Sequence, residues 1–154
     1  MNMAKKSIST QQNVIDVDLS ITSKKRFRIN GDDTKILELN TSDFGIIHRL
    51  NESMKKLEEL ENSATSIDDA DLDGISNKLS KIDSEMRDIV NYIFDADVCS
   101  VVASDGSMFD FFNGAPRYDH VLSALIGLYE DNLQREVNIQ KQRMKSHTDK
   151  YKKG

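Results

Sequence analysis

An α+β fold, mostly α, is what this sequence predicts: an N-terminal β-hairpin or three-stranded meander packed on an antiparallel helical hairpin, with a long C-terminal helix. Three observations lead there. Apolar and polar residues alternate with a period of two between Val14 and Ile29. "NGDD" at Asn30–Asp33 then supplies residues that tolerate positive φ, the requirement of a tight hairpin turn. From Phe44 onward the apolar spacing changes to alternating threes and fours on three separate stretches, the signature of amphipathic helices.

The strand pattern starts at Val14. Ile15, Val17, Leu19 and Ile21 alternate with Asp16, Asp18 and Ser20, which reads as a strand with one buried face. Phe27 and Ile29 continue the alternation between Arg26, Arg28 and Asn30. A hairpin of about Lys25–Asn30 with Lys35–Leu39 follows, and the earlier run is a third strand. A two-stranded ribbon is marginal in water, so this sheet must rest on helices or on another subunit.

"NTSD" at Asn40–Asp43 offers N-cap side chains just before the first helical run. Phe44, Ile47, Leu50, Met54 and Leu57 form one apolar stripe on a helix ending near Ala64. A second helix starts near Asp73 and carries Ile75, Leu79, Ile82, Met86, Ile89 and Ile93. Joined by a short acidic link, the two pair antiparallel, and both stripes are read as core. Between Phe94 and Ala115 the pattern breaks into a compact loop with one short helix at Ser107–Phe112. Pro116 sits where a first helical residue belongs. Val121, Leu122, Leu125, Leu128, Tyr129 and Leu133 make a third amphipathic helix whose stripe fades after Val137.

Three regions follow from this: a polar, disordered arm over 1–13, a single domain over 14–140, and a basic, flexible tail over 141–154. The tail carries about +5 and leaves about −10 on the rest. The whole chain of 154 residues has a net charge of −5, 31% charged residues, one proline and no tryptophan. That balance gives no reason to expect nucleic-acid binding by the whole molecule, and the basic tail with Tyr151 reads as solubilising or as a contact for an acidic partner. A single cysteine, Cys99, forms no intrachain disulfide, which suits a reducing intracellular setting. Neither a signal-peptide pattern nor a run of about 18 apolar residues occurs, so no membrane span is expected.

Catalytic and metal chemistry find little support. "DADLDG" at Asp69–Gly74 begins like an EF-hand loop, with Asp69, Asp71 and Asp73 at alternate positions before glycine. Its twelfth position, which needs a bidentate glutamate, is Ser80, and its eighth is Ser76. The acidic run is read instead as favouring the positive N-terminal end of the second helix. His48, His120 and His147 lie on separate elements, Cys99 sits in an apolar "DVCSVV", and no nucleophile elbow or phosphate cradle is present. The expectation is a non-enzymatic protein with no cofactor or metal.

The order of elements carries a resemblance. "KKRFRINGDDTKILELN" leads into "TSDFGIIHRLNESMKKLEEL", a helical pair follows, and then comes "YIFDADVCSVVASDGSMFDFFNGAPRYDHVLSALIGLYEDNL". Over about residues 14–135 the chain resembles the tail assembly chaperones of Gram-positive siphophages, in which an N-terminal β segment precedes a mostly helical body. It departs from them at Asp95, where many relatives have glycine after "IF". The resemblance implies a helper protein in the cytoplasm of the bacterial host. Such a protein binds the helix-forming tape measure protein, self-associates, and is displaced when the tail tube protein polymerises. A permanent small virion protein of the tail or head–tail joint is the alternative, and a calcium-sensing regulatory module is a third reading from another class. Phe109, Phe111 and Phe112 cannot all face inward from one helical turn. They are the expected partner contacts together with Met108, Tyr129 and Leu133, although each is also a plausible core residue.

Overall fold

The computed structural model describes residues 13–19, 24–66 and 71–152. Strands β1 (Lys25–Ile29) and β2 (Asp32–Leu39) form an antiparallel hairpin. Lys25 lies opposite Leu39 and Phe27 opposite Leu37, and the register shifts between Arg28 and Ile29. Within the expected Asn30–Asp33 stretch the turn is Asn30–Gly31, with φ of 53° and 71°, both left-handed. Period-two alternation then decides the faces. Leu37 and Leu39 point into the core, while Arg26 and Arg28 stay outside, paired with Glu38 at 3.8 Å and Asp33 at 2.8 Å.

The expected third strand does not form over the described part of its range. Residues 14–19 belong to no strand, and Val14, Ile15, Val17 and Leu19 are each at least 70% exposed. Alternation marks a segment able to pair, but here the segment joins no edge of the described chain, and β1 has β2 as its single strand neighbour there. Ile21 and the arm over 1–12 lie outside the described residues.

Helix α1 (Gly45–Thr65) has Phe44 at its N-cap and no side-chain cap bond there, so the cap expected from "NTSD" does not form; one residue earlier, Asp43 Oδ1 accepts from the Gly45 amide at 2.8 Å. Helix α2 (Leu72–Phe94) is capped by Asp71, whose carboxylate accepts from the Asp73 amide at 3.2 Å. The two run antiparallel. Arg49 Nε donates to the Ile93 carbonyl, Tyr92 OH to Glu52 Oε2, and Lys56 lies near Glu85, so α1 climbs as α2 descends. Helix α2 ends at Asp95, whose φ of 50° is the left-handed conformation that glycine adopts most easily and aspartate tolerates. This is the position at which the chain departs from the glycine of the resembled family.

The short helix lies elsewhere than expected. It is α3 (Cys99–Val102), because Asn91 Oδ1 takes the amides of Val98 and Cys99 at 2.8 and 3.0 Å while Asp97 accepts from the Ser100 amide and hydroxyl. Ser107–Phe112 instead runs through a turn into β3 (Phe111–Phe112), paired with β4 (Ala115–Pro116). A second Asn-Gly turn, Asn113–Gly114 with φ of 52° and 82°, forces that miniature hairpin.

Helix α4 then runs from Arg117 to Lys152, past the limit of 140 expected for the folded domain. Its apolar stripe does fade after Val137. No glycine or proline interrupts residues 128–152, and the Gln, Lys, Arg and Met content favours helix without a core to rest on. The core gathers Leu37 and Leu39 from the hairpin, Ile46 and Leu60 from α1, and Ile82, Met86, Val90, Ile93 and Phe94 from α2. Val98, Cys99, Ala103 and Met108 add the loop side, and Tyr118, Leu125 and Tyr129 close it from α4. The Phe94 and Tyr129 rings meet at 5.8 Å between centroids. Asn132, buried among these, accepts from Lys25 Nζ at 2.9 Å and donates to the Thr41 carbonyl and the Ser42 hydroxyl, tying α4 to the hairpin and its exit.

Candidate protein-docking surface

Helix α1 turns a different face inward from the one its most obvious stripe suggested. The buried line is Ile46, Ser53 and Leu60, with Leu50, Leu57 and Ala64 half-buried beside it. Phe44, Ile47 and Met54 are 59%, 59% and 55% exposed. At roughly 100° per residue these three lie about a quarter-turn or more around the helix from the Ile46 line. The stripe read as core is therefore split: Leu50 and Leu57 border the core, and the other three form an outward apolar face. Ser53 can sit inside because its hydroxyl donates to the Arg49 carbonyl one turn back, at 2.7 Å.

The outward face lines a shallow groove of about 710 Å³ formed by Phe44, Ile47, His48, Leu50, Asn51 and Met54. His48 and Glu52 contact each other at its margin, and Glu52 also holds Tyr92. Apolar anchors at helical spacing with charged borders are what an amphipathic helix recognises.

The loop between α2 and α4 is held by two arginines. Asp83 Oδ1 accepts from the Met108 amide at 2.7 Å and the Ser107 hydroxyl at 3.0 Å, and Oδ2 accepts from Arg87 Nε at 2.9 Å. Arg87 reaches on to the carbonyls of Ala103 and Gly106. Arg117 donates to the Val102 carbonyl and Asp105, each at 3.1 Å, and lies 3.6 Å from Asp110, while its Nε is buried without a partner. Burial opposes ionisation of Asp83, but the Arg87 guanidinium and the Met108 and Ser107 donors outweigh it and hold the carboxyl below its usual range. Asp43 is likewise opposed by burial and held low by Arg49 and the Gly45 amide. A depressed folded-state value gives stability that is present above the unfolded value of about 4 and is lost as pH falls further. Denaturant midpoints are expected to drop on acidification below about pH 4, and Asp83→Asn is expected to flatten that limb.

This latch decides where the expected contact residues end up. Met108 is fully buried and Tyr129 is 2% exposed, so both belong to the core of the chain. Phe109 is half-buried with its ring edge-on to Tyr118 at 5.3 Å, and Leu133 is half-buried on α4. Phe111 and Phe112 alone of the six stand out, at 74% and 47% exposure, on the Asn113–Gly114 hairpin. Arg117 lies 5.0 Å from the Phe112 ring centroid, and His120 contacts the Phe112 carbonyl, so the hairpin is braced from α4. Beside it a second cleft, of about 630 Å³, opens between Arg28, Lys35, Phe112, Arg117 and His120.

The Cys99 thiol is buried and its pKa is pushed up to about 12 by that burial, so thiolate chemistry is suppressed. Among the described residues no group of three or more His, Cys, Asp or Glu could hold a metal ion. Asp69 lies outside the described residues, and His147 outside the described side chains. Among the described residues no helix is long and apolar enough to cross a membrane.

Sequence reasoning missed the outward face of α1 because Leu50 and Leu57 fit both stripes. It also missed Asp83, although an Asp83–Arg87 pair one turn apart beside Ile82 and Met86 was a visible signal of a charge held near the core. Comparisons with protein-family models, curated proteins and solved structures return no match.

Proposed function

We propose that this chain is a non-catalytic tail assembly chaperone of the siphophage kind. In that role it holds the tape measure protein in the bacterial cytoplasm, self-associates, and gives way to the tail tube protein. The observation that carries the reading is the outward apolar face of α1, where Phe44, Ile47 and Met54 stand more than half exposed on a helix whose Ile46, Ser53 and Leu60 line is committed to the core. A tape measure helix with anchors one turn apart would lay its apolar face along that groove. The resemblance in element order supports the identity of the guest. Exposure of the anchors in the isolated chain suits a contact that must later be surrendered.

Co-expression with the tape measure protein tests the reading. Wild-type chain is expected to co-purify with it, and the triple variant Phe44→Ser, Ile47→Ser, Met54→Ser to lose at least about 30-fold in affinity, the size of a hot-spot loss. The same variant is expected to keep its stability within about 0.5 kcal/mol, because these side chains are not in the core. Undiminished capture by the variant rejects the surface. Stoichiometric chain in finished particles rejects the chaperone role.

A further inference from the structure

The segment Val14–Leu19 and the outer edge of β1 are complementary in two respects. The segment reads V-I-D-V-D-L, apolar on one side of a strand at Ile15, Val17 and Leu19 and acidic on the other at Asp16 and Asp18. Strand β1 has Phe27 and Ile29 on its inward side and Arg26 and Arg28 on its outward side. Its single strand neighbour among the described residues is β2, so its other edge presents backbone donors and acceptors with no ladder to join. Laid antiparallel, the segment has a register that satisfies both faces and pairs both aspartates with both arginines. Val17 falls opposite Phe27 and Ile15 opposite Ile29, while Asp18 meets Arg26 and Asp16 meets Arg28. Each arginine then sits between two carboxylates across the sheet, since Glu38 and Asp33 already approach from β2. A slip by one residue would set the aspartates among the apolar side chains, so the register is strongly specified.

We propose that Val14–Leu19 of one copy is donated as a third strand to the free edge of β1 in a second copy, and that this is how the chain self-associates. The apolar residues of the segment, exposed in the single chain, gain Phe27 and Ile29 as cross-strand neighbours in the pair, and the backbone groups of the β1 edge gain their partners. Because donor and acceptor lie at different places on the chain, the contact is heterologous and propagates as an open series unless its rotation closes. The proposal gives a surface to the self-association in the proposed function and rests on that part of it alone. It stands or falls without the tape measure protein.

Charge exchange in the purified full-length chain tests it by light-scattering mass. Wild type is expected to exceed the monomer mass, and the variants Asp16→Arg with Asp18→Arg and Arg26→Asp with Arg28→Asp each to be monomeric, since donor and acceptor then carry like charge. Mixing the two variants restores opposite charges only between different molecules, so the mixture is expected to regain the higher mass. Circular dichroism checks that each variant keeps the wild-type helical signal. If the Arg26 and Arg28 variant fails to fold, wild type against the Asp16 and Asp18 variant alone still decides. A monomeric wild type, an unchanged mass in the Asp16 and Asp18 variant, or two folded monomeric variants that do not combine would overturn the proposal. The last outcome, with restoration in the fourfold variant, would show that the strand closes onto its own hairpin.

Discussion

Asp83→Ala is expected to cost about 3–4 kcal/mol of folding stability, a large share of what a domain of this size possesses. The size follows from what one carboxylate holds. Its loss leaves the Arg87 guanidinium without its counter-charge, and the Met108 amide and Ser107 hydroxyl without an acceptor, all in a part-buried site. Arg87 also fixes the carbonyls of Ala103 and Gly106, so the damage spreads along the loop. Asp83→Asn retains one acceptor oxygen but turns an amide donor toward Arg87 or the backbone, and should lie between the two. Equilibrium denaturation measures both. A cost below about 1 kcal/mol for the alanine variant would mean that the latch contributes little and that apolar packing holds the loop.

Tyr129→Ala is expected to be as damaging, at about 3–5 kcal/mol, through the cavity left beside Phe94. The prediction separates core from contact surface, because Tyr129 and Phe111 were equal candidates for a partner when only their spacing was known. Phe111→Ser is expected to change stability by less than about 0.5 kcal/mol, since its ring touches solvent. Near-equal midpoints for the two variants would show that Tyr129 is not buried as described. Its phenol, pushed up to about 12 by burial, stays protonated at every pH at which such a comparison is made.

How much of this was legible in the chain depends on what each signal demands. The Asn30–Gly31 turn, the cap at Asp71 and the limits of α1 and α2 are local, and local chemistry wrote them plainly. The Asn113–Gly114 hairpin was equally local, but its neighbouring phenylalanines suggested a helix and hid it. Orientation is another matter. Helix α1 carries enough apolar residues for two faces, and only the position of α2 and the hairpin selects Ile46 over Ile47. Val14–Leu19 is strand-like in pattern, yet its pairing depends on an edge that sequence does not locate. The continuation of α4 to Lys152 rests on propensity with no apolar stripe, so a reading based on periodicity stopped short. The site divides in the same way. Of the expected contacts Phe111 and Phe112 stand exposed and Met108 and Tyr129 are claimed by the core, while the outward face of Phe44, Ile47 and Met54 emerged only once the helix had been rotated into place.

That rotation has a kinetic consequence. Under the proposed function, a side of α1 that is solvent-facing before a guest arrives would require no breach of the interior on loading, and none on unloading. Residence time would then be set by the strength of the contact itself rather than by the rate at which the fold opens. A competitor that stripped such a guest away would meet no locked door, and the emptied molecule would be ready at once for another.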